Sequence, residues 1–202
     1  MKDIVKLYNQ FIECSNDSDW SDPKKVGWST KHEQEVRFKV LLNIGVKEND
    51  KILDYGCGLG HLIDYLDKNN IKVDYTGLDI NPTYLEIAKE THKESLFKLG
   101  DIDDESDEYD WVLASGVFTY GITDEEIESK VSKGVSIAKK GFAFNMLIPS
   151  EDFIAYGFNV FDPLETLSDF KQKYDNVYIA QGYTHDDFTI YITKEPLNYD
   201  FK

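Results

Sequence analysis

A glycine-rich turn carries the residues of this sequence that are best suited to bind a ligand. Residues 52–60 read ILDYGCGLG, with a glycine at every second position from Gly56 to Gly60 and a carboxylate at Asp54. Glycines between a strand and a helix let the backbone approach a ligand closely, and the helix that follows offers free N–H groups. The spacing differs from the G-x-G-x-x-G of dinucleotide-binding turns, and a carboxylate here opposes a phosphate but favours an ammonium group. The turn therefore predicts a site for a cofactor with an amino-acid end.

Strands and helices alternate along the chain on both sides of this turn. Short apolar runs are separated by stretches with helical spacing, which is typical of a parallel sheet covered on both faces. The predicted strands are 51–55, 73–78, 96–99, 109–114, 142–148, 177–180 and 188–193, and the predicted helices are 33–44, 61–69, 83–91, 123–139 and 162–173. The last two strands are too close for a helical crossover, so we expect them to pair antiparallel.

Composition and charge narrow the function classes. The 202 residues predict a single domain, with 1–45 as an N-terminal helical arm, 46–193 as the core and 194–202 as a C-terminal tail. The net charge of −16 disfavours nucleic acids and anionic membranes as partners. Cys14 and Cys57 make neither a disulfide framework nor a metal site, and no apolar run is long enough to span a membrane. We expect a soluble cytoplasmic protein without a metal.

Three segments together resemble the class I family of S-adenosylmethionine-dependent methyltransferases. They are ILDYGCGLG at 52–60, GLDINPTYLEIAK at 77–89 and GDIDDESDEYDWVLASGVF at 100–118, and the likeness extends over about residues 28–193. The resemblance implies an α/β, three-layer Rossmann-like fold whose sheet has six parallel strands and an antiparallel last strand. It also implies S-adenosylmethionine as the cofactor and S-adenosylhomocysteine as the product.

By this resemblance, groups that follow the first four strands would hold the cofactor. They are Asp54, Gly56, Cys57 and Gly58 for the methionyl part, Asp79 for the ribose hydroxyls, Ile80, Asp101 and Ile102 for the adenine, and Ser115 with Gly116 near the sulfonium. Trp28 and Arg37 would close over the cofactor's carboxylate, with core packing and a surface ion pair as the alternative. Asp79 could instead cap the helix that follows it.

The acceptor is expected at the edge where the parallel strands end, because ligands of open α/β sheets bind there. Loop aromatics on that edge would shape its pocket: Phe118, Tyr120, Phe153, Tyr156 and Tyr183. A general base is needed only when the acceptor must lose a proton. His185 is the first candidate, with an exposed loop histidine as the alternative, and His32 and His61 are further candidates.

The segment 149–161, PSEDFIAYGFNVF, follows the fifth strand and is rich in aromatic residues. Their order is too irregular for one amphipathic face, and Gly157 offers a hinge. We interpret this segment as a lid that excludes water once the acceptor is bound. Packing of the rings onto the sheet is the alternative.

The expected function is in-line methyl transfer to a small molecule, on oxygen. Transfer to a protein side chain, and a regulatory protein that binds the cofactor or its product without turnover, are the alternatives. Asn81-Pro82-Thr83-Tyr84 resembles the Asn-Pro-Pro-Tyr signature of enzymes that methylate base amines, but it follows the second strand instead of the fourth. A nucleic-acid acceptor is therefore not expected.

Overall fold

The computed structural model describes residues 2–13 and 19–197, whose strands form a seven-stranded sheet. The strands are β1 (Lys51–Tyr55), β2 (Asp74–Asp79), β3 (Leu96–Leu99), β4 (Tyr109–Ala114), β5 (Ala138–Leu147), β6 (Val177–Ala180) and β7 (Asp187–Thr193). They lie in the order β3-β2-β1-β4-β5-β7-β6, and β7 runs antiparallel to both of its neighbours. The pairs from β3 to β5 are parallel. The predicted mixed sheet, with six parallel strands and an antiparallel last strand, is confirmed.

Helices cover both faces of the sheet. Those of the described residues are α1 (Lys2–Glu13), α2 (Lys31–Leu42), α3 (His61–Lys68), α4 (Pro82–Thr91), α5 (Asp124–Ile137), α6 (Glu151–Ala155) and α7 (Pro163–Lys171). Their starts follow the capping chemistry of the sequence: the Asn81 side chain accepts from an N–H in the first turn of α4, and Thr123 forms a reciprocal capping box with Glu126 in α5. None of these helices is long and apolar enough to cross a membrane.

Among the predicted strands, the largest shift in bounds concerns β5. The sequence predicted a helix to residue 139 and a strand from 142, whereas α5 ends at Ile137 and β5 begins at Ala138. The early start fits the pairing, because Ala138 lies opposite Tyr109 of β4. β5 is also paired with all of β7, from Gly141 to Leu147.

The core has two parts, one on each face, as the alternation of side chains along a strand requires. Leu53 and Val112 point to the face covered by α5 and α7, where Phe142 and Phe170 are also buried. The neighbouring residues in β1 and β4 point to the opposite face, which α2, α3 and α4 cover. Helices on both sides of the sheet give the three layers that the sequence predicted.

The arm before β1 lies over the carboxyl edge of the sheet. Tyr84 of α4 donates its hydroxyl to the backbone carbonyls of Tyr8 (3.0 Å) and Lys25 (2.6 Å). The Asn81 side-chain amide contacts that of Asn9 at 2.8 Å. These bonds fasten α1 and the short 3₁₀ turn at Pro23–Val26 above the ends of the parallel strands. Cys14 and the end of the predicted tail, 198–202, lie outside the described residues.

Candidate functional site

A cavity of about 640 Å³ lies at the carboxyl ends of the first four strands. Asp54, Asp79, Asp101 and Ser115 line it from the sheet, and α1 contributes Ile4, Val5, Leu7, Tyr8 and Phe11 to the opposite side. Its volume is in the range of small-molecule and cofactor sites. The position agrees with the rule that open α/β sheets bind ligands beyond the carboxyl ends of their strands.

The glycine turn between β1 and α3 adopts a conformation that other residues would not tolerate. Gly56 has φ +75°, and a Cβ at this position would lie 2.4 Å from Cγ2 of Val117. The amide of Gly56 donates to the carbonyl of Leu78 at 2.7 Å, which ties the turn to the end of β2. The turn therefore brings bare backbone to the floor of the cavity, and Gly56, Cys57 and Gly58 all line it.

Asp54 is a buried carboxylate that no cationic side chain pairs with among the described residues. Its Oδ2 accepts a hydrogen bond from the Tyr75 hydroxyl at 2.8 Å. Burial raises the pKa of Asp54 from 3.8 to about 7, against the opposing effect of the Tyr75 bond, and the nearby charge of Asp79 adds to the rise. A ligand ammonium group would remove this cost, so the residues present fit a cofactor with an amino-acid end.

Asp79 joins the glycine turn to the start of α4. Its Oδ2 accepts from the amide of Gly58, and its Oδ1 accepts from the amide of Asn81, each at 2.8 Å. Burial raises its pKa. A carboxylate with two such bonds still has lone pairs for a ligand hydroxyl. The alternative that Asp79 caps α4 is wrong, because Asn81 is the N-cap residue and Asp79 bonds only its amide at this helix start. The ribose role stays a prediction, and it is compatible with the position of Asp79 in the cavity lining beside Ile80.

Both carboxylate oxygens of Asp101 are bonded to other residues of the protein, which the sequence did not predict. Its Oδ1 accepts from the Tyr55 hydroxyl (2.9 Å) and from the amide of Ile102 (2.7 Å), while its Oδ2 pairs with Lys130 Nζ at 2.7 Å. The Ile102 amide was expected to face the adenine, but it is used by Asp101, and the Ile102 side chain is fully buried in the core. Lys130, which also bonds Asp103 at 3.0 Å, lines the cavity and was not predicted.

The turn after β4 forms the next part of the floor. The Ser115 hydroxyl is buried without a hydrogen-bond partner among the described residues. Such an orphaned group fits a ligand that supplies the missing bond. The amide of Gly116 donates to Asn145 Oδ1 at 2.8 Å. A Cβ on Gly116 would lie 2.8 Å from Cζ2 of Trp28, so the indole rests directly on the backbone of this turn.

Trp28 and Arg37 come together in the cavity wall, but the charge of Arg37 is already paired. Its guanidinium carbon lies 4.4 Å from the Trp28 ring centroid. Its Nε donates to Asp187 Oδ2, and its Nη2 lies 3.2 Å from Asp186 Oδ1. Arg37 is 2% exposed, so the alternative of a surface ion pair is wrong: the pair is buried.

Asp187, the partner of Arg37 outside the cavity lining, is a further carboxylate with a raised pKa. Burial raises the pKa of Asp187 to about 6, although the neighbouring Arg37 lowers it. The Tyr183 hydroxyl donates to Asp187 Oδ1 at 3.2 Å and contacts the Thr189 hydroxyl at 2.7 Å. Tyr183 therefore bonds the carboxylate that pairs with Arg37, and it lies outside the cavity lining. Its predicted place in the acceptor pocket is wrong.

Three of the five aromatic residues predicted for the acceptor pocket line the cavity: Tyr120, Phe153 and Tyr156. Phe118 does not, because its side chain is fully buried and packs edge-on against Phe144 at 5.4 Å between centroids. The prediction for Phe118 failed because the turn after β4 folds this ring inward, into the core between the sheet and α5.

The predicted histidine base does not reach the cavity. His185 is exposed and absent from the lining, as is His32. His61 does line the cavity, but Gln34 Nε2 contacts its Nδ1 at 3.0 Å, and its Nε2 lies 2.7 Å from the carbonyl of Trp20. Burial lowers the pKa of His61. With Nε2 as donor and Nδ1 as acceptor, this neutral ring fastens the arm and has no free nitrogen for an acceptor.

The aromatic segment 149–161 borders the mouth of the cavity. Phe158 packs edge-on against Phe153 (5.7 Å between centroids) and Tyr120 (5.9 Å). Tyr156 is 75% exposed, which shows that this ring is not packed onto the sheet. The arrangement is compatible with the proposed lid, because the rings contact one another and line the cavity from its rim.

Comparison with known sequences identifies the family. The family described as "Methyltransferase domain" matches residues 46–152. Rv1506c of Mycobacterium tuberculosis (strain ATCC 25618 / H37Rv), a protein assigned as a methyltransferase, is 30% identical over 156 residues. This alignment covers 71% of the present chain and 92% of that protein.

Solved structures agree in fold. Magnesium protoporphyrin IX methyltransferase from Synechocystis PCC 6803 with bound SAH has a TM-score of 0.64 at 16% identity, covering 81% of this chain and 84% of that one. The N-methyltransferase NodS from Bradyrhizobium japonicum WM9, in complex with S-adenosylhomocysteine, has a TM-score of 0.64 at 16% identity, covering 94% and 97%. The chain belongs to the methyltransferase domain family, and the prediction of a class I S-adenosylmethionine-dependent methyltransferase from its sequence is confirmed.

Proposed function

We propose that this methyltransferase, with S-adenosylmethionine as its cofactor, methylates a small molecule that enters the cavity past the segment 149–161. One observation carries the proposal: a single cavity joins an unpaired buried carboxylate, Asp54, to a mouth bordered by aromatic rings. The carboxylate suits the amino-acid end of the cofactor. The rings suit the body of a small acceptor, because pockets of this kind are lined mainly by apolar and aromatic groups.

The residues at the ends of β1 to β4 would hold the cofactor. Asp54 would face its ammonium group, and Asp79 would face its ribose hydroxyls. Ile80 and Asp101 would lie toward the adenine. The Ser115 hydroxyl, which has no hydrogen-bond partner among the described residues, lies in the turn after β4 and would contact the methionyl part of the cofactor. The cofactor supplies an electrophilic methyl group on a sulfonium.

The chain's own contribution is to position the reactants and exclude water. Displacement at the methyl carbon needs the acceptor atom in line with the leaving sulfur, so orientation accounts for much of the rate. The Trp28 ring lies against the backbone of Gly116 in the lining of the cavity. The apolar side chains Ile4 and Tyr8 of α1 cover the site from above.

Oxygen as the acceptor atom stays a prediction. An alcohol or phenol must lose its proton, yet His185 is exposed outside the cavity and both nitrogens of His61 are engaged. Transfer to an alcohol or phenol oxygen would therefore need a different base.

The test is incubation with S-adenosylmethionine carrying a labelled methyl group, together with a metabolite extract freed of protein and, separately, a protein extract. We expect label in the small-molecule fraction. Label confined to protein bands would support side-chain methylation instead, and tight binding without a labelled product would support a regulatory protein. Gly56→Val is a suitable inactive control, because a side chain there collides with Val117.

Cofactor choice is tested separately by calorimetric titration. We expect binding of S-adenosylmethionine and of S-adenosylhomocysteine, and none of a nicotinamide dinucleotide, because Asp54 and Asp79 oppose a pyrophosphate at the glycine turn. Binding of the dinucleotide in place of the methyl donor would contradict the proposed use of the cavity.

A further inference from the structure

We propose that the methyl acceptor is an amine carried on an apolar body, recognised by an acidic wall in the acceptor half of the cavity. The proposal rests on the proposed function and deepens it. The acidic wall consists of Glu33, Arg37 and Asp186, which line the cavity together with Leu147 at the end of β5. Since β5 neighbours β4 on the side away from β1 to β3, this wall lies beyond the cofactor residues.

The wall has more negative than positive charge. Arg37 faces two carboxylates, Asp186 and Asp187, so these three residues together keep a net negative charge when both acids are ionised. Glu33 adds another carboxylate from the first turn of α2. The other lysine or arginine of the described lining is Lys130, which is bonded to Asp101 and to a second aspartate.

An anionic acceptor would therefore meet no unpaired cation among the described residues of the lining. A carboxylate or phosphate would have to leave water and enter a cavity of its own sign, which costs several kcal/mol for a buried, unpaired charge. Alcohol and phenol acceptors need a base, and no histidine of the described lining is free to act as one. Carboxylate acceptors need no base, but the negative charge of the cavity opposes their binding.

Asp186 has an oxygen available for an ammonium group. Its side chain is 42% exposed, and its Oδ1 lies 3.2 Å from Arg37 Nη2. Its Oδ2 has no hydrogen-bond partner among the described residues. The residue stands directly before β7, and its backbone carbonyl accepts from the amide of Ile148 at 2.9 Å, which fixes its position at the edge of the cavity.

The aromatic rim agrees with a cation on an apolar body. Tyr120, Phe153 and Phe158 present edge-to-face pairs at the mouth, with centroids 5.7 to 5.9 Å apart. Aromatic faces attract alkylated ammonium groups and bury apolar surface at the same time. The rim and the wall thus favour the same kind of molecule through different groups.

The proposed methyl transfer to nitrogen begins with the loss of a proton from the bound acceptor. The ammonium form of the acceptor is held by Asp186 and releases one proton to solvent on the exposed side of this residue, leaving a neutral amine. The nitrogen lone pair then forms the N–C bond as the C–S bond breaks and its electron pair returns to sulfur. The products are S-adenosylhomocysteine and a methylated ammonium ion, and the proton lost by the acceptor has gone to solvent.

The first experiment identifies the class of the labelled product. After incubation of the enzyme with methyl-labelled S-adenosylmethionine and a protein-free metabolite extract, the products are passed over a cation exchanger at mildly acidic pH and then treated with alkali. A methylated amine is retained and keeps its label in alkali, which is the expected result. A neutral, alkali-stable product is an ether or thioether, and one that releases labelled methanol is an ester. Either would overturn the amine proposal while leaving the methyltransferase function intact, whereas no labelled small molecule at all would count against the proposed function itself.

The second experiment tests Asp186 with the acceptor fraction found in the first. Asp186→Asn keeps an oxygen for Arg37 but removes the charge, so we expect KM for the acceptor to rise at least tenfold. The affinity for S-adenosylhomocysteine should stay unchanged, which separates acceptor recognition from misfolding. Asp175→Asn, at an exposed aspartate outside the cavity, is the matched control and should behave as the wild type. An unchanged acceptor KM in Asp186→Asn would refute the assigned role.

Discussion

The buried carboxylate of Asp54 makes the stability of the ligand-free protein depend on pH. Its pKa of about 7 lies above the ordinary 3.8, so the folded state binds its proton more tightly than the unfolded state does. This contribution to the free energy of unfolding is fully present below about pH 4 and is lost as the pH rises through about 7. At about 1.36 kcal/mol per pH unit, the whole interval corresponds to about 4 kcal/mol, of which about 3 kcal/mol falls between pH 5 and 8.

Asp54→Asn removes this ionisation while keeping an oxygen for the Tyr75 hydroxyl. Urea denaturation of both proteins at pH 5, 6, 7 and 8 measures the effect as the difference between their free energies of unfolding. We expect that difference to shift in favour of the variant by about 3 kcal/mol from pH 5 to 8. Asp74→Asn, at an exposed position in β2, should run parallel to the wild type. Parallel curves for Asp54→Asn as well would show that Asp54 does not carry a raised pKa.

Three further predictions concern single side chains. Asp79→Ala should weaken S-adenosylmethionine binding at least tenfold in calorimetry and also lower the melting temperature, since Gly58 and Asn81 both lose a bond; lower stability with unchanged affinity would leave only the structural role. Tyr156→Ala should change the free energy of unfolding by less than about 0.5 kcal/mol, because the ring is 75% exposed, while kcat/KM for the acceptor falls; full activity would exclude a lid role for this ring. Phe118→Ala should cost about 3 to 5 kcal/mol in urea denaturation, as expected for a fully buried ring, and a negligible loss would contradict its place in the core.

The regular elements were predictable because their signals are local. The predicted strands 51–55, 96–99, 109–114 and 177–180 have the bounds of β1, β3, β4 and β6, since buried strands appear as short apolar runs between turn residues. The arm 1–45 was predicted to be helical, but the bounds of α1 were not predicted, although Ile4, Tyr8 and Phe11 follow helical spacing and line the cavity. A short amphipathic segment on its own does not reveal what it will pack against.

The candidate site was predictable where its residues lie at the ends of predicted strands. Asp54 and Asp79 lie at the carboxyl ends of β1 and β2, and Ser115 directly follows β4. These three strands are neighbours in a parallel sheet, so the proximity of the residues follows from topology. The partners of Arg37 and Asp101 could not be found in this way. Their bonds depend on side-chain directions in helices and loops that only the folded chain defines, and Lys130 had no signal beyond a basic residue within an acidic helix.

The bond between Arg37 and Asp187 joins residues 150 positions apart, and this separation affects how the protein is made. The residues proposed to hold the cofactor lie between Asp54 and Ser115, on β1 to β4 and the turns that follow these strands. The acidic wall is completed only when the start of β7, the last strand, has been synthesised, because Asp186 directly precedes this strand and Asp187 begins it. Long-range contacts of this kind form late, and domains fold as their segments are synthesised. A nascent chain that ends before Asp186 therefore already contains the residues proposed to hold the methyl donor, but it lacks both carboxylate partners of Arg37.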